Sequence, residues 1–321
     1  MPRRRSSRTS GPRPLASPVP TPAGDSPGRT GSARALGGFR PSGALAGVVP
    51  FFVYTTVFLI IPTGVVVIGA FLGPGGGFSL ANLSSLTQPD FLASLWQSVI
   101  VSAVTAAIGG IGGAFLAYAV ATARPGGVLK RFVTSLCGVL AQFGGVALAF
   151  AFMATFFGSA SLLGPLLAAS GLDTTGGLWL FSWKSGIMLV YLYFQIPLML
   201  IVFLPAVEGL RVQWREACET LGGTTWTYWR RVGIPILLPS FAGAVLLLFT
   251  NAFSAYATVR ALVSQGSPLV PLKIDGALSS EIVLGQQGVA KAYALSMVVV
   301  VALVMAIYTL IDRRASRWLV R

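Results

Sequence analysis

Residues 208–239 read EGLRVQWREACETLGGTTWTYWRRVGIPILLP and form one long polar, charged stretch in the second half of a mostly apolar chain. Apolar residues recur in this stretch at helical spacing, and charged residues fill the opposite side, with Arg215 and Glu219 one turn apart. Gly222 and Gly223 are predicted to end this helix, and Thr225 is predicted to cap a second one. The pattern predicts two helices joined by a glycine bend outside the apolar phase. An ordinary amphipathic loop on a membrane surface is the alternative.

The composition indicates a membrane protein. Hydrophobic residues make up 54% of the chain, charged residues only 10%, and the mean hydropathy is +0.77. The net charge of +14 does not indicate a nucleic-acid partner, because the basic residues lie in one tail and at the ends of apolar segments. The sequence contains no histidine, and Cys137 and Cys218 cannot by themselves form a disulfide framework or a zinc site. No bound metal is expected.

The chain is predicted to fold as an all-α protein with six membrane-spanning helices. An apolar run of about 20 residues suffices to cross the hydrocarbon core. A further short helix is expected around residues 162–169, between the third and fourth spans. The six predicted spans are Ala46–Leu72, Trp96–Ala121, Phe132–Phe157, Ile187–Val207, Ile236–Val259 and Val289–Ile311.

Residues 1–42 are predicted to be a disordered cytosolic tail. They are rich in Arg, Ser, Pro and Gly and lack the apolar runs that would offset the entropy cost of ordering. The arginines of this tail could contact anionic lipid headgroups, or they could serve only to set the topology. Residues 43–321 are assigned to the transmembrane domain, with a cytosolic loop at residues 208–235.

The distribution of positive charge predicts the orientation. Only four of the 23 Lys and Arg residues fall on the opposite side or at its span ends: Lys184, Arg260, Lys273 and Lys291. Cytosolic loops carry the excess of Lys and Arg. Both termini and the loop are therefore predicted to be cytosolic, in agreement with an even number of spans.

Polar side chains inside the predicted spans are few. An intramembrane polar residue is a functional candidate, although a hydrogen bond between helices is the simpler alternative for each one. The candidates are Gln142, Gln195, Asn251 and Tyr256. In the second span, Gly109 and Gly113 form a small-xxx-small pattern that predicts close helix packing. The sequence contains no carboxylate pair, nucleophile–base set or phosphate-binding loop, so no catalytic residue is assigned.

The spacing within the quoted stretch resembles the EAA loop, the cytosolic coupling loop of bacterial ABC importer permeases. Cys218 replaces the usual third alanine, Gly223 replaces an alanine, and Val232 replaces an isoleucine; all three changes keep a small or apolar residue. The residues that match the motif are Glu216, Ala217, Cys218, Gly222, Val232, Gly233, Ile234, Pro235 and Pro239.

The resemblance extends over the flanks from about residue 49 and looks most similar to the spermidine/putrescine-type branch. It implies a type I importer permease in the bacterial inner membrane that pairs with a second permease, the same or a different chain. It also implies two cytosolic ATPase subunits, which carry the ATP, and a solute-binding protein on the outer face. It implies further that the permease itself is not an enzyme and holds no cofactor. The residues expected to contact the ATPase are Glu216, Ala217, Cys218, Leu221, Gly222 and Pro235. The residues expected to line the translocation path are Gln142, Gln195, Asn251 and Tyr256.

Two observations bear on the substrate. The branch suggests polyamines, with ferric iron or aminoethylphosphonate as alternatives, and four acids on the outward connections could attract a cation: Asp90, Asp173, Asp275 and Glu281. A secondary carrier or a structural membrane protein is the alternative class. A carrier would need charged residues mid-span, and a structural protein would leave the motif spacing unexplained.

Overall fold

The computed structural model describes residues 43–73, 76–124, 126–156, 161–170, 183–262, 269–279 and 286–319. The predicted disordered tail, residues 1–42, lies outside this range. The regular elements described are helical, apart from one antiparallel bridge between Leu72 and Phe78. The α-helices are α1 (Gly43–Thr55), α2 (Ile61–Ala70), α3 (Ala81–Ser84), α4 (Pro89–Thr122), α5 (Val128–Gln142), α6 (Gly145–Phe156), α7 (Gly164–Ala169), α8 (Trp183–Glu208), α9 (Val212–Thr220), α10 (Thr225–Tyr228), α11 (Ile234–Phe253), α12 (Ala257–Leu262), α13 (Val270–Ser279) and α14 (Gln287–Leu319). The all-α prediction is confirmed.

The chain divides into two units, residues 1–52 and 53–321. The described part of the first unit, residues 43–52, is helical, and its side chains from residue 48 onward are exposed. The second unit contains the remaining helices, and one π-helical turn, Thr56–Ile60, precedes α2 within it.

Five helical segments of the described chain are long and apolar enough to span a membrane. They are Val48–Ala70, Pro89–Thr122, Gly186–Glu208, Thr225–Phe253 and Gln287–Leu310. A sixth span is obtained if α5 and α6 are counted together, although they meet at an angle of 101°.

The predicted continuous third span is therefore wrong in its geometry. Its first half is α5, which ends at Gln142, and Gly144 and Gly145 follow in the bend. Gly145 has a φ of +69°, a left-handed conformation that residues with a Cβ rarely adopt. The paired glycines thus allow a turn that a run of apolar residues alone does not reveal.

The predicted fifth span is too long at its C-terminal end. It was expected to reach Val259, but α11 ends at Phe253 and Val259 belongs to the separate helix α12. The hydroxyl of Ser254 donates to the carbonyl of Thr250 at 2.9 Å. Such a local side-chain bond competes with continuation of the helix.

Helices α4, α8 and α11 form the centre of the second unit. A Cβ on Gly113 would lie 2.7 Å from the carbonyl oxygen of Ile196 and would also overlap Met199, so α8 approaches α4 along its backbone. A Cβ on Gly110 would lie 2.7 Å from Cγ2 of Val245, so a side chain of α11 packs directly against this glycine. The predicted close packing at Gly109 and Gly113 is confirmed.

The two ends of this bundle differ in what they hold. We call the end at which α8 finishes and α9 begins the loop end, and the opposite one the far end. At the far end, the rings of Phe91 and Tyr293 stack at 4.3 Å, and the amide of Val270 donates to the hydroxyl of Ser98 at 3.0 Å. These contacts attach α13 and α14 to the start of α4.

Candidate functional site

The predicted pair of helices is present at the loop end, with different boundaries. Helix α8 runs to Glu208, a turn follows, and α9 ends at Thr220. Gly222 has a φ of +76°, the left-handed conformation that ends many helices, so the bend at this position favours glycine.

The second helix is capped one residue earlier than predicted. Thr224, not Thr225, is the cap: its hydroxyl accepts from the amide of Thr227 at 3.3 Å. Thr224 has the extended backbone conformation that a capping residue needs, whereas Thr225 is already helical. A π-helical turn, Trp229–Gly233, then leads into α11, which has Pro235 in its first turn.

An apolar groove of about 820 Å³ lies between α9 and the start of α11. Four of the six predicted ATPase-contact residues line it: Ala217, Cys218, Leu221 and Gly222. Leu221 is 88% exposed, and none of the residues of α9 is buried by the described part of the chain. The groove therefore presents apolar surface that the described chain leaves uncovered.

The other two predicted contact residues lie outside the groove. Glu216 is exposed on α9 and belongs to no ion pair of the described residues, while Pro235 is exposed at the start of α11. Beside Glu216, Arg215 Nε donates to Glu219 Oε1 at 3.0 Å. This hydrogen bond and the charge of Glu219 raise the pKa of the Arg215 guanidinium above its ordinary value, so Arg215 stays charged.

Contacts at the base of the loop fix it to the membrane helices, and the sequence did not reveal them. Lys130 Nζ lies 2.6 Å from Glu208 Oε1, which joins the start of α5 to the end of α8. The ring of Trp229 meets the ring of Tyr118 of α4 edge-on at 5.3 Å. Glu208 was one signal in the sequence for such an ion pair, because it is an acid directly at the end of an apolar span.

The four candidates for the translocation path are not brought together. Gln142 ends α5 at the bend and is exposed, Asn251 is exposed on α11, and Tyr256 lies beyond α11 at the far end. Gln195 is fully buried: its Nε2 donates weakly to Thr105 Oγ1 at 3.4 Å, and its Oε1 has no partner. A role in the path stays a prediction for all four.

Tyr256 belongs instead to a polar cluster that joins α12 to α13. Arg260 Nε lies 3.1 Å from Asp275 Oδ2, and the Tyr256 phenol donates to the same carboxylate. That hydrogen bond raises the pKa of Tyr256 above its ordinary value, because the phenol keeps the proton that the carboxylate accepts. Asp173 and Glu281, two other acids predicted to attract a cation, lie outside the described residues.

No group of three metal-ligating side chains occurs within the described ranges. Cys137 is buried on α5, whereas Cys218 lies in the groove on α9, and both are free thiols.

Comparison with known families decides the identity of the fold. Residues 109–317 match the family described as the binding-protein-dependent transport system inner membrane component. The chain belongs to this family. It is therefore a multi-pass component of the inner membrane, and the matched range includes the loop, the groove and all four path candidates.

Relatives of this family member include two sulfate permeases of Escherichia coli strain K12. It is 26% identical over 175 residues to the sulfate transport system permease protein CysT, covering 54% of this chain and 60% of that protein. It is 25% identical over 197 residues to CysW, covering 60% of this chain and 64% of that protein. The chain thus spans less than two thirds of the length of these relatives, and both are named as sulfate permeases rather than polyamine permeases.

Solved structures share the fold of this family member. One is the crystal structure of a bacterial ABC transporter involved in the import of the acidic polysaccharide alginate. The TM-score is 0.68 at 17% identity, over 84% of this chain and 95% of that one. The same transporter bound to its periplasmic protein with an alginate pentasaccharide gives a TM-score of 0.67 at 16% identity, over 84% of this chain and 94% of that one. The predicted type I importer permease fold is confirmed.

Proposed function

We propose that this chain is the permease subunit of an ABC importer and that α9 and α10 couple it to a cytosolic ATPase. The observation that carries the proposal is the uncovered groove beside Leu221. Leu221 is 88% exposed and adjoins Ala217, Cys218 and Val232 in one groove, and a contiguous exposed apolar patch of this kind marks an interaction site. The family membership and the match to the motif support an ATPase subunit as that partner.

The charge distribution supports an external source of energy. In the described spans, Asp, Glu, Lys and Arg occur only within about two turns of the ends, as with Asp90, Glu208, Arg231 and Lys291. An ion-coupled carrier needs a charged or protonatable group near the middle of the membrane. Because the middle of the described spans is uncharged, ATP bound to partner subunits is the energy source that fits this permease.

The remaining partners follow from the same proposal. A second permease subunit completes the path, the lipid bilayer covers the rest of the apolar surface, and a solute-binding protein delivers the substrate at the far end. The solved alginate importer includes a periplasmic protein of this kind. At the far end, the clustered residues of α12 and α13 provide a fixed surface for it.

For the substrate, we propose a small oxyanion of the sulfate class. Two sulfate permeases among the relatives support this choice. The acids on the outward connections are weaker support for a polyamine substrate than the sequence suggested, because Asp275 is already paired with Arg260. Polyamines, ferric iron and aminoethylphosphonate stay as alternatives that these relatives do not favour.

Co-purification tests the coupling assignment. We expect an ATPase subunit to co-purify with the wild-type chain and to be lost with Leu221→Asp, which places a charge in the groove. The matched control is Val128→Asp: Val128 is 85% exposed at the same end and lies at the start of α5, where an acid is tolerated. Retention of the ATPase by Leu221→Asp would contradict the assignment.

Uptake of radiolabelled sulfate and spermidine by cells that carry the complete transporter tests the substrate separately. We expect uptake of labelled sulfate, which unlabelled sulfate should reduce and unlabelled spermidine should not. Uptake of spermidine alone would overturn the oxyanion proposal while leaving the ATPase coupling intact.

A further inference from the structure

A second cavity lies at the base of the loop, between the end of α4, the start of α5 and the first turn of α9. Its volume is about 390 Å³. Three cations line it, Lys130, Arg211 and Arg215, together with a single acid, Glu208. The cavity is therefore positively charged, and it lies where the helices of the bundle leave the apolar phase.

One of the three cations that line the cavity belongs to no ion pair of the described residues. Lys130 is paired with Glu208 and Arg215 with Glu219, whereas Arg211 belongs to no ion pair of the described residues. Helix α9 begins directly after Arg211 without a side-chain cap. The partial positive charge of this helix start adds to that of the guanidinium.

An exposed apolar stripe runs along α4 away from the cavity. Tyr118 lines the cavity, and Phe115, Ile111 and Ile108 continue from it at helical spacing, each more than half exposed. Together the two features form an amphiphilic site, with a cationic pocket at one end and an apolar track leading from it towards the bilayer core.

We propose that this cavity binds the phosphate of an anionic phospholipid, with an acyl chain lying along the α4 stripe. Basic pockets between transmembrane helices at the cytosolic side bind anionic headgroups in this manner. The bound lipid would contact α4, α5 and α9 at once through its phosphate. Its place beneath α9 makes the attachment of the loop sensitive to the composition of the bilayer, a property that the proposed transport function does not require.

The test is a native mass-spectrometry titration of the purified transporter with phosphatidylglycerol. We expect Arg211→Ala to weaken binding about fivefold, the effect of removing one Arg near an anionic headgroup. Arg211→Lys should retain most of the affinity. The control Arg131→Ala removes an exposed cation at the same end that does not line the cavity, and it should leave binding unchanged.

A variant with the opposite sign separates binding from folding. Glu208→Gln removes the only acid among the described residues that line the cavity, so phosphatidylglycerol should bind more tightly than it does to the wild type. A variant that only damaged the fold would bind less tightly. Equal losses for Arg211→Ala and Arg131→Ala would mean that general surface charge holds the lipid, and they would overturn the proposal.

Two further arms distinguish the source of the anion. Inorganic phosphate or sulfate at millimolar concentration should fail to displace the lipid, and Phe115→Ala should weaken lipid binding. If the free anion displaces the lipid and Phe115→Ala has no effect, the site is an oxyanion site rather than a lipid site. If neither the lipid nor the free anion binds, or if a second permease subunit covers the α4 stripe in cross-linking, the proposal is wrong.

Discussion

Lys130 Nζ and Glu208 Oε1 lie 2.6 Å apart, across 78 residues of sequence, and tie the start of α5 to the last residue of α8. The side chains are 23% and 43% exposed. Because α9 follows after a short turn, this ion pair sets the position from which the loop leaves the membrane. Motion of α9 can thereby reach both α5 and α8.

A double-mutant cycle measures the strength of this pair. Lys130→Ala and Glu208→Ala should each lower the stability of the purified permease, with a coupling energy of about 0.2–1 kcal/mol, as for partly exposed pairs. Thermal unfolding midpoints provide the measurement. Reversal of the two charges should restore part of the stability, and a coupling energy of zero would show that the pair does not hold the loop.

Gly113 should tolerate no added methyl group. An alanine Cβ would overlap Met199 and lie 2.7 Å from the carbonyl oxygen of Ile196, so we expect Gly113→Ala to cost about 1–3 kcal/mol. Gly112 is the matched control, because its Cβ would meet Ile196 at an ordinary 3.6 Å. Gly112→Ala should be neutral or slightly stabilising. Equal thermal stabilities for the two variants would contradict the described approach of α8 to α4.

Substitutions of Gln195 test whether this residue serves only in packing or also lines the translocation path. Its Oε1 has no partner, so Gln195→Met should change stability by no more than about 1 kcal/mol. It should also leave uptake intact. Gln195→Glu, which puts a charge at a fully buried site, should cost about 3 kcal/mol at neutral pH. Loss of uptake by a stable Gln195→Met variant would instead support the predicted path role.

The Asp275 cluster should respond to alkaline pH. Its carboxylate raises the folded-state pKa of Tyr256 above the ordinary value of about 10. The resulting stability is complete below that value and is lost as pH rises through the folded pKa. Asp275→Asn should therefore flatten the alkaline decline of the unfolding midpoint relative to the wild type. Asp90→Asn, an acid at the same end that belongs to no described ion pair, is the control and should show the wild-type decline.

The sequence predicted the features that a local pattern specifies. It missed the features that a local pattern leaves open and those that depend on packing between helices. Long apolar runs predicted the spans, and the glycine spacing predicted the bend at Gly222, because left-handed backbone is a local property. The sharp turn at Gly145 and the end of α11 at Phe253 were missed, since an apolar run is compatible with both a straight and a broken helix. The contact of Lys130 with Glu208 could not be predicted from the sequence, because it depends on how two helices are placed relative to each other. The burial of Gln195 depends on three helices at once.

The most direct test of the central claim compares Gly222→Asp with Gly126→Asp in the complete transporter. Gly222 and Gly126 have φ values of +76° and +74°, and neither has a neighbour that a Cβ would meet, so the two substitutions impose a similar backbone strain. Gly222 lines the groove, whereas Gly126 lies in the connection between α4 and α5. Gly222→Asp should reach the membrane at normal abundance yet abolish ATP-dependent uptake, while Gly126→Asp retains it. Normal uptake by Gly222→Asp would contradict the coupling role of this loop.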